Sequence, residues 1–221
     1  MTESLPLILQ LHTPEQLRFY SNIAHWVEGL LLLAIAIIAF FQALGYLRTK
    51  RLLYLWPTIV LVVGIFLPLF AYAHHWNQLS FAWQATVNDT QQLQHMIMAI
   101  LMTVAGIAEI RYLKGKNKNS SLRLVFPFMV IIIGLMFIAH PQHGIGESVI
   151  RAKIVHNYIG IMLISSGFFK VLEIFGRSTL RWLVFPWIIF LAAAAILLIS
   201  YREPEGAYRM GMNTTHQIEQ I

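Results

Sequence analysis

The stretch "RLVFPFMVIIIGLMFIAHPQHG", residues 123–144, decides the fold class. It begins with a basic residue, continues as a long apolar run, and ends with two histidines on either side of Pro141 and Gln142. A helix needs roughly 20 apolar residues to cross a hydrocarbon core of about 30 Å. The stretch therefore predicts a membrane-spanning helix that ends in a turn containing histidine.

The rest of the chain has the same character. Of 221 residues, 57% are hydrophobic and only 12% are charged, which is typical of a polytopic membrane protein. We predict an all-α membrane helical bundle that forms a single integral domain over residues 1–221. The six predicted spans are residues 24–46, 52–75, 93–113, 122–140, 154–175 and 180–200.

The start of the chain predicts a further helix before the first span. In "TPEQ", Thr13 suits the N-cap and Pro14 suits the first helical position. We expect a short N-terminal interfacial helix that leads into the first span.

Two landmarks recur along the chain at nearly the same intervals. The even spans begin around prolines that are 70 and 59 residues apart, namely Pro57, Pro127 and Pro186. The odd spans carry histidines that are 70 and 61 residues apart, namely His25, His95 and His156. The agreement predicts three helical hairpin repeats, at about residues 22–80, 90–145 and 152–205.

Basic residues indicate how the bundle is oriented. Most of the lysines and arginines lie in the turns within the three predicted hairpins. The positive-inside rule then places these turns in the cytoplasm and both termini outside, in what we expect to be a bacterial inner membrane. The net charge of +6 thus indicates orientation and lipid as the partner, with no nucleic acid. Trp56, Trp182 and Trp187 are expected in an aromatic belt at the inner interface.

The histidines all lie in the outer half of this topology or beyond it. Imidazole is the commonest protein ligand for zinc, copper and iron, so the set predicts a metal site at the outer face. Glu28 is three residues after His25 and is expected to orient that ring. His140 precedes a proline, which disfavours helical geometry, and we expect its ring to turn inward. The candidate ligands are His25, Glu28, His74, His75, His95, His140, His143 and His156.

The ligand types favour copper. The chain has no cysteine, which excludes thiolate sites and disulfides. Met98 lies one helical turn from His95, and Met210 and Met212 with His216 form a soft set in the C-terminal tail that suits Cu(I). Two alternatives stay open: a b-type haem protein that carries electrons, and a zinc-dependent intramembrane hydrolase. A transporter or a structural subunit is also compatible with the sequence. A copper protein would meet a metal-donor or redox partner at the outer face.

A second polar set lies near the opposite ends of the spans. It contains Gln42, Glu109, Lys170 and Glu173. Lys170 and Glu173 are three residues apart on one helix, so we expect them to pair with each other or with Glu109.

The segment "QHMIMAILMTVAGIAEI", residues 94–110, resembles the eukaryotic transmembrane protein 45 family, a family of unknown function. "AHPQHG" and "IVHNYIGIML" occupy the places where that family has its later histidines. The resemblance covers spans 3 to 5, whereas the first and last hairpins match poorly and this chain is shorter. It implies a multispan fold with a shared histidine layer but no particular chemistry. The matching positions are His95, Met98, Gly106, Glu109, His140 or His143, and His156.

The absence of cysteine makes the predicted orientation directly testable. Thr214→Cys lies beyond the last span, and Ser120→Cys lies in the predicted turn between spans 3 and 4. In intact cells a membrane-impermeant maleimide should label Thr214→Cys, and it should label Ser120→Cys only after lysis. The reverse pattern would overturn the predicted sidedness.

Overall fold

A computed structural model of the chain describes residues 13–47, 49–72, 79–115, 121–142, 146–176, 182–205 and 207. In these residues the regular structure is entirely helical, which confirms the predicted all-α bundle. The helices are α1 (Pro14–Ala43), α2 (Lys50–Leu53), α3 (Leu55–Tyr72), α4 (Leu79–Asn88), α5 (Thr90–Lys114), α6 (Leu122–Ala139), α7 (Glu147–Phe175) and α8 (Val184–Ser200).

Five helical stretches are long and apolar enough to cross a membrane. They are α1, α5, α6, α7 and the stretch Lys50–Pro68, which joins α2 to most of α3. The sixth predicted span, α8, is equally apolar but has only 17 residues. At 1.5 Å per residue it covers about 25 Å, slightly less than a typical hydrocarbon core.

The first helix begins where its capping signal predicts. The hydroxyl of Thr13 accepts a hydrogen bond from the backbone N–H of Gln16, whose side chain accepts one from the backbone N–H of Thr13. The predicted interfacial helix is not separate, because α1 continues from Pro14 to Ala43 without a break. No glycine or proline lies between Glu15 and Glu28, so nothing in this segment interrupts the helix.

Six helices form a closed ring in which each packs against two neighbours, in the order α1, α3, α5, α6, α7, α8. Helices of different predicted hairpins contact each other more extensively than the two helices of one hairpin do. The pairs between hairpins are α3 with α5, α6 with α7, and α8 with α1. Between α6 and α7, a Cβ atom on Gly134 would lie 2.7 Å from the carbonyl oxygen of Gly160. The backbones of α6 and α7 meet there because neither residue has a side chain.

Equivalent close contacts occur at two other helix pairs, at the intervals of 70 and 61 residues seen between the histidines. A Cβ atom on Gly64 of α3 would lie 2.8 Å from the carbonyl oxygen of Ala99 on α5, and one on Gly29 of α1 would lie 2.9 Å from that of Ala195 on α8. The three pairs are Gly64 with Ala99, Gly134 with Gly160, and Ala195 with Gly29.

Trp56 and Trp187 lie in the core and not in an aromatic belt. Trp56 is 5% exposed and Trp187 is 2% exposed, whereas Trp182 is 57% exposed as the belt predicts. The ring of Trp56 lies 4.9 Å from that of Phe126 and 6.4 Å from that of Trp187. The three aromatic rings occupy equivalent positions at intervals of 70 and 61 residues and meet inside the ring of helices.

The ion pair that the sequence predicts between Lys170 and Glu173 is present, beside these aromatic rings. Lys170 Nζ donates to Glu173 Oε2 at 2.9 Å and lies 4.5 Å from the centroid of the Trp187 ring. The pair is partly buried, so its charges are satisfied locally beside the aromatic cluster.

The glycine contact makes a specific stability prediction. Gly134→Ala should lower the free energy of unfolding by roughly 1–3 kcal/mol, because the added methyl group meets backbone that cannot move freely. Gly115→Ala is the matched control, since its Cβ atom would lie 3.4 Å from the closest atom. Thermal unfolding in detergent checks both variants, and an unchanged midpoint for Gly134→Ala would contradict the packing described.

Candidate functional site

Four predicted ligands come together at one end of the bundle, which we call the histidine end. Their rings form a row in which each contacts the next. The centroid distances are 5.7 Å between His25 and His156, 5.2 Å between His156 and His140, and 4.8 Å between His140 and His95. His25, His140 and His156 are 6%, 1% and 2% exposed. The row brings together side chains from α1, α5, α7 and the residue that follows α6.

His140 reaches this row because the helix ends at Ala139. His140 is the C-cap of α6 in an extended conformation (φ −63°, ψ 120°), as expected for a residue before proline. Its ring is buried against His95 and His156, which confirms the prediction that it turns inward. Lys153 Nζ donates to the carbonyl oxygens of Ile138 and His140, so a cation holds the end of α6 in place.

Two aromatic side chains complete the row. The ring of Tyr201 lies 4.8 Å from that of His25 and 5.2 Å from that of His156. The ring of Phe137 stacks on that of His156, with the two centroids 5.7 Å apart. These contacts surround His156 with rings and limit its orientation.

Hydrogen bonds show which ring nitrogen carries a hydrogen in three of the four histidines. His25 Nδ1 lies 2.7 Å from the carbonyl oxygen of Ser21, and His156 Nδ1 lies 2.8 Å from that of Ala152. A carbonyl oxygen can only accept, so Nδ1 carries the hydrogen in both rings. His140 Nδ1 likewise donates to Gln94 Oε1 at 2.6 Å. In the neutral form of each ring, Nε2 then carries the lone pair that can bind a metal.

A buried carboxylate supports His25 from outside the row. Ser21 Oγ donates to Glu203 Oε2 at 2.8 Å, and the same serine supplies the carbonyl oxygen that holds His25. Glu203 is 7% exposed, and its backbone N–H donates to Asn22 Oδ1 at 2.7 Å. The segment after α8 is therefore fastened to α1 directly beside the histidines.

Four of the predicted ligands are not among the rings of this row. Glu28 lines a cavity that shares Phe137 with the cluster. His74, His75 and His143 lie outside the described residues, so their predicted roles are untested. Within the described part of the chain, no group of three or more histidine, aspartate or glutamate side chains is arranged to hold a metal ion.

Sequence reasoning missed Tyr201, Gln94 and Glu203. A signal for Tyr201 was present, because it lies 61 residues after His140, the interval that separates His95 from His156. Tyr201 is also the C-cap of α8, with φ −63° and ψ 139°, nearly the geometry of His140. Gln94 and Glu203 act through contacts between distant segments, for which the sequence gives no local signal.

Comparisons with protein-family models, curated proteins and solved structures give no match to this chain. The resemblance to the transmembrane protein 45 family therefore stays a prediction. The apolar helices assign the chain to the membrane-spanning helical proteins.

The carboxylate beside His25 yields a stability prediction. Ser21→Ala removes a hydrogen bond to the buried Glu203 and should lower the free energy of unfolding by about 1–3 kcal/mol. Ser200→Ala is the matched control, since that exposed hydroxyl donates only to the carbonyl oxygen of Leu197. Its effect should stay within about 0.5 kcal/mol. Equal losses in the two variants, measured by thermal unfolding, would contradict the role given to Glu203.

Proposed function

We propose that this membrane-spanning protein binds copper at the histidine end of its bundle, through rings drawn from His25, His95, His140 and His156. One observation carries the proposal: His25, His140 and His156 each direct Nδ1–H at an oxygen acceptor. Imidazoles that bind metals are characteristically held in this way, since the second hydrogen bond fixes the tautomer and strengthens the donor. Three neighbouring rings whose Nδ1–H groups are held by hydrogen bonds support a metal-binding role.

The arrangement suits an ion of low coordination number. Neighbouring rings in the row come from different segments of the chain, and their centroids lie 4.8–5.7 Å apart, so two adjacent rings are close enough for each to offer one Nε2 atom to a shared ion. Cu(I) accepts few ligands and tolerates the absence of a third or fourth donor. This is compatible with the lack of a group of three or more ready donors among the described residues.

Copper is favoured over the two alternatives. Contact between the rings leaves no gap into which a haem macrocycle fits, so the packing does not support a b-type haem. A zinc hydrolase needs a metal-bound water and a carboxylate base. Glu28, the carboxylate three residues after His25, lines a cavity whose other side chains are apolar or thioethers, which does not favour the activation of water.

The predicted sidedness places this site at the outer face of a bacterial inner membrane. Copper would then be exchanged with a metal-donor or redox partner outside the cell membrane. The exposed apolar side chains around the ring of helices fit lipid as the surrounding phase.

Copper titration of the purified protein tests this proposal. Wild-type protein should retain Cu(I) against a competing chelator, and His140→Gln and His156→Gln should each weaken binding by at least about tenfold, since removing even a supporting residue costs about 10–100-fold. Gln94→Leu should weaken binding through His140 within that same range.

The matched control is His12→Gln, because the sequence gives His12 no part in the site. Its copper affinity should equal that of the wild type. Failure of the wild type to take up copper, or equal losses in His12→Gln and His140→Gln, would reject the proposed function. A Soret band in the visible spectrum of the purified protein would favour haem instead.

A further inference from the structure

The cavity that has Glu28 in its wall measures about 80 Å³, and all six helices of the ring contribute to its lining. The lining residues of α6 extend from Phe126 to Phe137, about 16 Å along the helix at 1.5 Å per residue. The cavity is therefore long and narrow. The ring of Phe126 packs against that of Trp56 at one end, whereas Phe137 stacks on His156 at the other.

The wall of the cavity is almost entirely apolar. Glu28 is the single residue with a polar side chain among the described lining residues, and the others are hydrocarbons or thioethers. A buried water molecule needs roughly two to four polar partners, which one carboxyl group does not supply along the length of the cavity. The lining therefore favours an apolar occupant over water.

The volume restricts the size of an apolar occupant. Sites for organic ligands measure roughly 300–1,000 Å³, far more than this cavity offers. An engineered apolar cavity of about 150 Å³ binds benzene or xenon. At about 80 Å³ the present cavity has roughly half that volume, which suits small gas molecules.

The bilayer is a source of such molecules. Apolar gases dissolve better in hydrocarbon than in water, because the transfer of apolar surface out of water is favourable. Among the neighbouring helix pairs of the ring, α1 and α3 share the least extensive contact, and both helices line the cavity. Their outer faces carry exposed apolar side chains such as Ile37 and Val62. The least closely packed side of the wall thus faces lipid.

We propose that this cavity binds dioxygen, taken up from the bilayer, beside the histidine end of the bundle. The apolar wall, the small volume and the surrounding lipid favour a small apolar gas over water or an organic ligand. Dioxygen is chosen among such gases because it reacts with Cu(I), so this choice rests on the proposed function. Binding in the cavity itself uses none of the histidines.

Dioxygen is paramagnetic and broadens the NMR signals of nearby groups, so it serves as its own probe. Full-length protein with isotope-labelled methionine methyl groups is purified in detergent without added metal. Its spectra are recorded under nitrogen and under pressurised dioxygen. Dioxygen should broaden the signals of Met102 and Met129, which line the cavity, more than those of Met136 and Met162.

Met136 and Met162 are matched controls. All four methionines are partly buried against the core, but only Met102 and Met129 line the cavity. Equal broadening at the four methyl groups would reject the proposal. Magnetisation transfer from water to the methyl groups of Met102 and Met129 would show a hydrated cavity and would reject it as well.

Variants that reduce the cavity volume test whether the cavity itself holds the gas. Val63→Ile adds a methyl group to the wall and should reduce the excess broadening at Met102 and Met129. Val62→Ile is the matched control, because this exposed neighbour does not line the cavity, and its spectra should match those of the wild type.

Ala105→Val is a second filling variant, which serves if Val63→Ile does not fold. Excess broadening that persists in a folded filling variant would contradict the proposal. The result is separate from the copper titration, because no metal is added. Failure of copper binding leaves the gas site in place, whereas equal broadening at the four methionines leaves the histidine site in place.

Discussion

Close backbone contact between helices of consecutive hairpins is the constraint on which the rest of this structure depends. Gly134 and Gly160 let α6 and α7 approach until backbone meets backbone, and similar contacts join α3 to α5 and α8 to α1. In a membrane, where apolar side chains gain little by leaving lipid, such contacts are a main source of helix association. They close the ring and bring the ends of neighbouring helices together.

The histidine end follows from this geometry. His156 lies one helical turn from Gly160, and His140 ends the helix that contains Gly134. The approach of α6 and α7 therefore stacks the two rings at 5.2 Å. At α8 and α1, the corresponding contact brings Tyr201 to His25 at 4.8 Å. The cavity occupies the space that remains on the axis between these rings and the aromatic cluster around Trp56.

Much of this architecture could be predicted from local patterns. The apolar runs, the Thr13 cap, the break at His140 and the Lys170–Glu173 pair all depend on residues close in sequence, and all are present. The burial of Trp56 and Trp187 could not be predicted, because a tryptophan near a helix end suits both an interface and a core. Closure of the ring and the position of Tyr201 depend on contacts between the two ends of the chain. The cavity beside Glu28 could not be predicted either, because helical spacing gives a direction and not a distance across the bundle.

The central claim is that imidazole rings at the histidine end bind copper. X-ray absorption at the copper edge, measured on the purified full-length chain after loading with Cu(I), tests it most directly. The account predicts nitrogen ligation with the outer-shell scattering of imidazole, and a clear loss of this scattering in the His140→Gln, His156→Gln double variant. A spectrum without imidazole scattering, or a chain that retains no copper, would contradict it.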